Sequence, residues 1–330
     1  MVRKKYIVTG GSGFIGSHIV DKLINENHDV VVIDNNSNQR DPIINPKAIY
    51  HNLDISNSDN EKQIEDILQT SSGVFHCAAS IDVQESIKNP YKYEKNNTIG
   101  TLNILQAAVK TNTKRVIYSS SAAVYGDTDK VPIKEDSAIN PISPYGAQKY
   151  YGEIMCKVFS QLHGLETCCL RYFNAFGERQ KISGAYATVI GIFKYQIENN
   201  LPLTITGDGE QKRDFIYVKD LANANYLSMM SNSELYGEVF NLGFGSSFTI
   251  NEIANCFESE KKYIPALKEP RESLAFIKKA NQLLNWHPST NVKKWIKDNL
   301  KVWIIFEWSI LSFIVVFYLK IVFNVINSYE

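Results

Sequence analysis

The sequence predicts an α/β protein built on a doubly wound parallel sheet, and three observations carry that expectation. Short β-branched runs ("YIVTG", "DVVVID", "GVFHCAA", "RVIYSSS", "LETCCLRYF") recur between stretches with helical spacing of apolar residues, the pattern of parallel strands joined by helical crossovers. A glycine-rich turn, "TGGSGFIGSH", follows the first run directly, where a strand hands over to a helix. The chain has 330 residues and 44% hydrophobic content, enough to bury a large core as one large domain or two coupled ones.

Taken in order, the first run and its turn place Gly10, Gly13 and Gly16 three apart ahead of the amphipathic segment "SHIVDKLINEN". Glycines there let the backbone approach a ligand without Cβ interference, and the helix they open offers unpaired N–H groups to an anion such as a diphosphate. Gly11-Ser12-Gly13-Phe14-Ile15-Gly16 is a GxGxxG, weak alone. The second run strengthens it by ending in Asp34, 18 residues beyond Gly16 and followed by Asn35. A carboxylate there accepts hydrogen bonds from an adenosine ribose diol and repels a 2′-phosphate, so the expected cofactor is NAD and not NADP. The alternative, that Asp34 and Asn35 only cap a turn, fits the spacing less well.

The fourth run closes on Ser119, Ser120 and Ser121, and Tyr145-Gly146-Ala147-Gln148-Lys149 follows downstream. Spacing of i to i+4 puts phenol and ammonium on one helix face, where the cation favours phenolate and lowers the tyrosine pKa toward neutrality. A nearby hydroxyl can share the proton. From about residue 175 the alternation weakens, although "EVFNLGFG" can return one more strand to the sheet, near 238–242. "VIGIFKYQIENN" has helical spacing and reads as core.

Charge and cysteine content narrow the function classes. With 35 basic and 35 acidic residues there is no electrostatic footprint for nucleic acid. Five scattered cysteines lack CxxC spacing, so neither a zinc site nor a disulfide framework is expected and a reduced, cytoplasmic compartment fits. Cys168 and Cys169 lie in an apolar strand and read as core. His18, His76 and His163 have no carboxylate or cysteine at ligand spacing, so they read as packing or hydrogen-bonded histidines and no metal is expected. "MVRKKYIVTG" enters a strand at once, which leaves no room for a signal peptide.

Over residues 3–300 the chain resembles the extended short-chain dehydrogenase/reductase family, and within it the nucleotide-sugar epimerases of the UDP-glucose 4-epimerase type. "TGGSGFIGSH" resembles the cofactor turn, with Gly10, Phe14, Ile15 and the other turn residues against NAD. The resemblance further implies adenine contacts from Asp54 and Ile55, and a strand end under the cofactor in "HCAAS", where Ala78 lies. Asn97 in "NNTIGTLNIL" is implied to stand at the cofactor and steady the catalytic region. "SSSAAVYG" and "PYGAQK" supply Ser121, Tyr145 and Lys149 as the catalytic set, with Ser119, Tyr145 and Lys149 also on the cofactor. "RYFNAFG" carries Tyr172 beside the nicotinamide and Asn174 toward the sugar diphosphate, and "GDGEQKRDFIYVKD" carries Arg213 toward the nucleotide phosphates.

Two departures matter. Relatives that eliminate water from the sugar follow the catalytic hydroxyl with Asp and Glu, whereas this chain has Ala122 and Ala123 and lacks that acid and base. Where the epimerases carry a diphosphate-binding P-P-R-x-G-E segment, this chain reads "YIPALKEPRESLAF", one residue short, with Leu267 near the expected arginine. Lys268 or Arg271 is available to compensate, although a lysine lacks arginine's bidentate contact, and Arg271 is equally well an ordinary solvated loop charge. Ser273 falls where a bulky tyrosine in some relatives excludes N-acetylhexosamines, and a small side chain leaves that volume open.

The resemblance thus implies a Rossmann-type NAD-binding domain over 1–173, an interleaved substrate-binding region over 174–301 and a hydrophobic tail over 302–330. The implied activity is NAD-dependent nucleotide-sugar 4-epimerisation through a transient 4-keto sugar, on UDP-hexoses or their N-acetyl forms, in a homodimer. The alternatives are another nucleotide-sugar reaction, such as 4-keto reduction or decarboxylation, or a non-catalytic NAD-binding relative. Beyond the resemblance, Val302 to Leu319 is an 18-residue stretch with Glu307 its only charge, close to the ~20 residues that cross a bilayer. Lys293, Lys294, Lys297 and Lys301 flank it, and Trp303 and Trp308 sit where interfacial aromatics stand. The expectation is attachment to the cytoplasmic face of a membrane through 302–326; an interfacial helix, a buried dimer helix or an altered reading frame are the alternatives.

Overall fold

The computed structural model describes residues 2–37, 42–182, 188–266 and 269–299. The first half of the chain alternates strand and helix as its hydrophobic pattern requires. The strands are β1 (Lys5–Thr9), β2 (Asp29–Asp34), β3 (Ile49–Asn52), β4 (Gly73–His76), β5 (Arg115–Ser121) and β6 (Glu166–Tyr172). Between them lie helices α1 (Phe14–Asn25), α2 (Glu61–Leu68), α3 (Val83–Lys88), α4 (Pro90–Glu94), α5 (Gly100–Lys110) and α6 (Pro144–His163), and α7 (Val189–Glu198) follows β6. Lys95–Ile99, just ahead of α5, winds as a single wide π turn.

These strands join a seventh in one all-parallel sheet of order β10-β6-β5-β4-β1-β2-β3, with β10 at Tyr236–Leu242. The order reverses between β1 and β4. Such a switch point leaves a crevice beyond the carboxyl ends of the strands, because the flanking helices diverge to opposite faces there. One face is covered by α1 (Ile19, Leu23), α8 (Val218–Met230; Leu221, Tyr226) and Trp286, and the other by α2, α5 and α6, including Ile64, Ile104, Leu105 and Phe159. Cys168 and Cys169, adjacent on β6, are both fully buried, one in each of these two cores. That is what a period of two imposes on a central strand.

Beyond β6 the chain builds a smaller layer from β7 (Asn174–Phe176), β8 (Leu203–Thr206), β9 (Lys212–Tyr217), β11 (Ser247–Thr249), β12 (Lys261–Ile264) and β13 (Glu272–Ser273). In it β9 is central: β7 and β13 pair with it in parallel and β11 antiparallel. Phe176, Phe193, Phe215, Ile253 and Trp295 form its separate core. The two regions interleave, since β10 and α8 pack with the main sheet while β7, β9 and β13 do not.

A strand that hydropathy alone did not reveal is β3, "IYHN", an edge strand with no buried residue. It has no alternation to read because only one neighbour, β2, pairs with it. Leu267, Lys268 and the tail over 302–326 lie outside the described residues. Among the described residues, no helix is long and apolar enough to cross a membrane.

Helix α6 carries Tyr145 and Lys149, so its placement decides where they point. The Ser143 side chain accepts from Gly146 N–H at 3.1 Å and Pro144 takes the first helical position, while Gly164 at φ +67° ends the helix. Two turns below Tyr145, Glu153 forms a buried bidentate pair with Arg171 of β6 at 2.8 and 2.7 Å and accepts from Ser120 Oγ of β5 at 2.5 Å. Arg171 continues to Tyr125 Oη at 2.6 Å, and Tyr125 donates to Asn241 Oδ1 of β10 at 2.7 Å. One polar chain thus fixes the helix against three strands. Glu153→Gln leaves the guanidinium buried without its counter-charge, so we expect a loss of about 3–5 kcal/mol, read as a lower denaturant midpoint; an unchanged midpoint would count against this role of the pair.

Candidate functional site

The turn between β1 and α1 is shaped by contacts only glycine allows. Gly10 takes φ +70°, and a Cβ on Gly16 would lie 2.1 Å from the Gly10 carbonyl oxygen. No side chain caps the N-terminus of α1 and no acidic residue stands in its first turn, which leaves its N–H groups and positive dipole end facing the crevice. The crevice is walled by Gly10, Gly13, Phe14, Ile15 and Gly16 at that end, and by Asp34, Asn35, Asp54 and Ile55 along β2 and the loop after β3. Ala78, Ser119, Tyr145, Lys149 and Tyr172 form the far end. The structure therefore gathers in one cleft every residue expected at the cofactor except Asn97.

Within the cleft, Asp34 is held by its own surroundings. Its Oδ2 accepts from Ser12 N–H at 3.0 Å and its Oδ1 from Asn36 N–H at 2.8 Å. Each oxygen retains a lone pair, so the carboxylate can still receive the hydroxyl protons of a diol. Asn35 closes the turn by accepting from Ser37 N–H at 3.1 Å. Asp54 uses Oδ1 on Ser56, its N–H at 2.8 Å and its hydroxyl at 2.5 Å. An uncapped helix end, a glycine turn and a diol-accepting carboxylate match a dinucleotide with an unphosphorylated ribose.

Asn97 does not line the cleft. It is 1% exposed, in the wide turn before α5, where its Oδ1 accepts from Ser80 N–H at 2.8 Å. Its Nδ2 donates to Ser80 O and to Gln148 Oε1, both at 3.0 Å. It holds the loop after β4 against the helix that carries Tyr145, and its neighbour Asn96 faces the cleft instead. The extra residue of a π turn rotates the register by one position.

At the far end, Tyr145 is 9% exposed and hydrogen-bonded to the Ser121 side chain. Lys149 donates from Nζ to Ser119 O at 2.8 Å and sits 5.9 Å from the centre of the Tyr145 ring. Burial pushes the phenol up to about 12, with the Ser121 hydrogen bond pulling the other way, and pushes Lys149 down to about 8. In the cofactor-free protein the expected lowering of the tyrosine pKa by the lysine is therefore outweighed by burial. One of the three ammonium donors goes to a backbone carbonyl, and desolvation by burial is the largest influence on the phenol. Tyr172, whose Oη meets Ser119 Oγ at 3.0 Å and accepts from Asn225 Nδ2 at 2.7 Å, is raised still further by burial.

The residues expected on the substrate share the small sheet beside this end. Asn174 begins β7, Arg213 lies on β9, and Ser273 on β13 is registered directly against Arg213. Asn174 Nδ2 donates to Asp214 O at 2.9 Å and to Ser273 Oγ at 3.2 Å. Arg213 pairs with Glu269 at 2.7 Å. None of the three lines the cleft itself, but Ala175, next to Asn174, does. Arg271 stands apart, 64% exposed at its side chain and in a bidentate pair with Asp208 at 2.9 and 3.1 Å, the arrangement of a solvated loop charge.

Several wall and support residues escaped the sequence reading. Cys77, Asn96, Gln180 and Thr188 line the cleft. Glu153 left one signal, its i+4 spacing from Lys149 on the same helix face, which continues the Tyr145–Lys149 stripe. His76 bridges Thr9 Oγ1 at 2.7 Å and Thr101 Oγ1 at 3.0 Å, and burial holds it neutral, down to about 3. Among the described residues, no group of three or more His, Cys, Asp or Glu could hold a metal ion.

Comparison with known proteins agrees with this geometry. Residues 6–243 match the family model described as NAD dependent epimerase/dehydratase family. The UDP-glucose 4-epimerase of Lactobacillus helveticus is 35% identical over 311 residues, 86% of this chain and 92% of its own. The crystal structure of UDP-glucose 4-epimerase from Thermotoga maritima with UDP-glucose superposes with a TM-score of 0.85 at 35% identity, covering 90% of this chain and 97% of that one. UDP-N-acetylglucosamine 4-epimerase from Methanobrevibacter ruminantium, in complex with UDP-N-acetylmuramic acid, has a TM-score of 0.85 at 37% identity and covers 93% and 100%.

In cofactor-free protein the Tyr145 phenol should remain protonated through pH 10, its ordinary value, and ionise near 12. Ultraviolet difference titration of wild type against Tyr145→Phe reads this, and a tyrosinate signal near neutrality assigned to Tyr145 would contradict it.

Proposed function

The chain belongs to the NAD dependent epimerase/dehydratase family, and on that premise we propose that it is an NAD-dependent nucleotide-sugar 4-epimerase that acts on UDP-hexoses or UDP-N-acetylhexosamines. The observation that carries the reading is the pair Tyr145 and Lys149 at the end of the cleft, with Ser121 behind the cleft wall, hydrogen-bonded to Tyr145 and followed in the chain by Ala122 and Ala123. Such a cluster can exchange a proton with a sugar hydroxyl. It has no adjacent carboxyl pair to expel water, which favours epimerisation over elimination.

The residues present divide the work. The N-terminus of α1 and the glycine turn hold the cofactor's diphosphate, Asp34 its ribose diol, and Asp54 and Ile55 flank the adenine. Lys149 and Tyr172 stand at the nicotinamide end. When bound, NAD supplies the reversible hydride acceptor for sugar C4, and its oxidised form adds positive charge to the cleft that the Tyr145 phenol shares. Tyr145 accepts the proton of the C4 hydroxyl, directly or through Ser121, and Lys149 keeps a cation near the developing phenolate. Arg213 and Asn174 anchor the sugar nucleotide by its diphosphate, so that the 4-keto sugar can turn about that anchor and present its other face. Tyr145 then returns the proton while C4 would take back the hydride held by the reduced cofactor, so net redox is zero.

UDP sugars as the substrate class follow from the ligands of the two similar structures, UDP-glucose and UDP-N-acetylmuramic acid. A homodimer and attachment of the tail over 302–326 to a membrane belong to the same reading. Light scattering of the purified chain tests the first. Fractionation tests the second: full-length protein that stays in the high-speed supernatant, with deletion of 302–330 changing nothing, would sink it.

Turnover of UDP-glucose or UDP-N-acetylglucosamine, with products separated chromatographically and no net NADH change, is the expected activity. Tyr145→Phe should lower it by about 10²–10⁴-fold while the protein still folds and retains bound NAD. Near-normal turnover in that variant would overturn the mechanism.

A further inference from the structure

Asp214 of β9 is fully buried, and among the described residues it has no cation as a hydrogen-bond partner. Its Oδ1 accepts from Phe244 N–H at 2.6 Å, and its Oδ2 accepts from Gly245 N–H and Ala275 N–H, each at 3.0 Å. Its backbone carbonyl accepts from Asn174 Nδ2 at 2.9 Å. Four pieces of chain meet on this one residue: β9 itself, the loop leaving β10 of the main sheet, the segment two residues past Ser273, and the start of β7. The segment past Ser273 is tied in turn to the main body, through Ile133 N–H to Leu274 O at 2.7 Å and Phe276 N–H to Ile133 O at 2.9 Å.

The environment is costly for a carboxylate. Burial raises Asp214 to about 6 even though three backbone donors pull it down. The space is also full, since a Cβ on Gly243 would lie 2.6 Å from Asp214 Oδ2 and 2.6 Å from Ala275 Cβ. An apolar side chain would avoid the desolvation, but it could not accept N–H groups from two separate loops at once. The residues aligned by this junction are Asn174, Arg213 and Ser273, which sit on three different strands.

We propose that Asp214 is a positioning residue for the nucleotide-sugar half of the site: without touching substrate, it locks Asn174, Arg213 and Ser273 into one register and ties that register to the main sheet through the loop after β10. This rests on the proposed function, which makes those three residues the substrate wall. Apart from Ala175 of β7, the residues that line the cofactor cleft lie on elements outside the junction.

The test compares wild type, Asp214→Asn and Gly243→Ala as full-length proteins. An amide at 214 opposes its NH₂ to backbone donors, and a methyl at 243 pushes on the same carboxylate without changing charge. For whichever of UDP-glucose and UDP-N-acetylglucosamine wild type turns over, KM should rise about tenfold in Asp214→Asn and rise in the same direction in Gly243→Ala. Bound NAD and kcat should stay close to wild type. Folded variants with unchanged KM, or a loss confined to kcat and NAD content, overturn the proposal. Wild type that turns over neither sugar defeats the functional reading instead, and the same comparison is then made on UDP affinity by calorimetry. Should neither variant yield soluble protein, hydrogen exchange on wild type decides: the Phe244, Gly245 and Ala275 amides should exchange as slowly as those of β9 before any nucleotide is added, and fast exchange at Ala275 overturns the proposal.

Discussion

Everything in the cleft depends on how closely α1 can approach the end of β1. With 2.1 Å between the Gly10 carbonyl oxygen and the place a Gly16 Cβ would occupy, no other residue fits at position 16 without moving the helix. The helix in turn packs Ile19 and Leu23 on the sheet, side by side with α8 on the same face, so its axis is fixed from below as well as from its N-terminus. Once α1 is placed, its uncapped N–H groups, the Asp34 carboxylate at the end of the neighbouring strand and the switch point between β1 and β4 define one continuous crevice. A side chain at position 16 would tilt the helix and disperse all three.

The other end of the crevice is held by polar contacts of unusual depth. Glu153 and Arg171 link α6 to β5 and β6, Asn97 and Gln148 link it to the turn before α5, and Lys149 donates to β5 through Ser119. A helix pinned on three sides can present Tyr145 without freedom to rotate away. The same enclosure sets the chemistry: burial holds the phenol high and the ammonium low, so the free protein stores a protonated tyrosine beside a reluctant cation.

The small sheet is organised by a different logic. Its strands are two to six residues long and supply little pairing energy of their own. Its register is carried by a separate aromatic core around Phe176, Phe215 and Trp295, and by the Asp214 junction. Strands this short leave no hydropathy pattern, which is why the alternation weakens beyond residue 175 although the chain there contains an ordered layer.

Sequence by itself determined the doubly wound sheet, the glycine turn, the Asp34 end of β2 and the Tyr145–Lys149 pair, because each is a local pattern. Strand and helix periods, a spacing of i to i+4, and glycines at contact points are all properties of neighbours along the chain. Tertiary structure alone decided the rest. It made β3 an edge strand with no buried face, turned Asn96 and not Asn97 into the cleft, left Arg271 in solvent on Asp208, and brought Asp214 to three amides 30 to 61 residues away. It also outweighed the expected effect of the lysine on Tyr145, since a pKa is set by everything that excludes water from the group. Burial and long-range hydrogen bonds sum contributions from segments distant in sequence, and no local pattern records that sum.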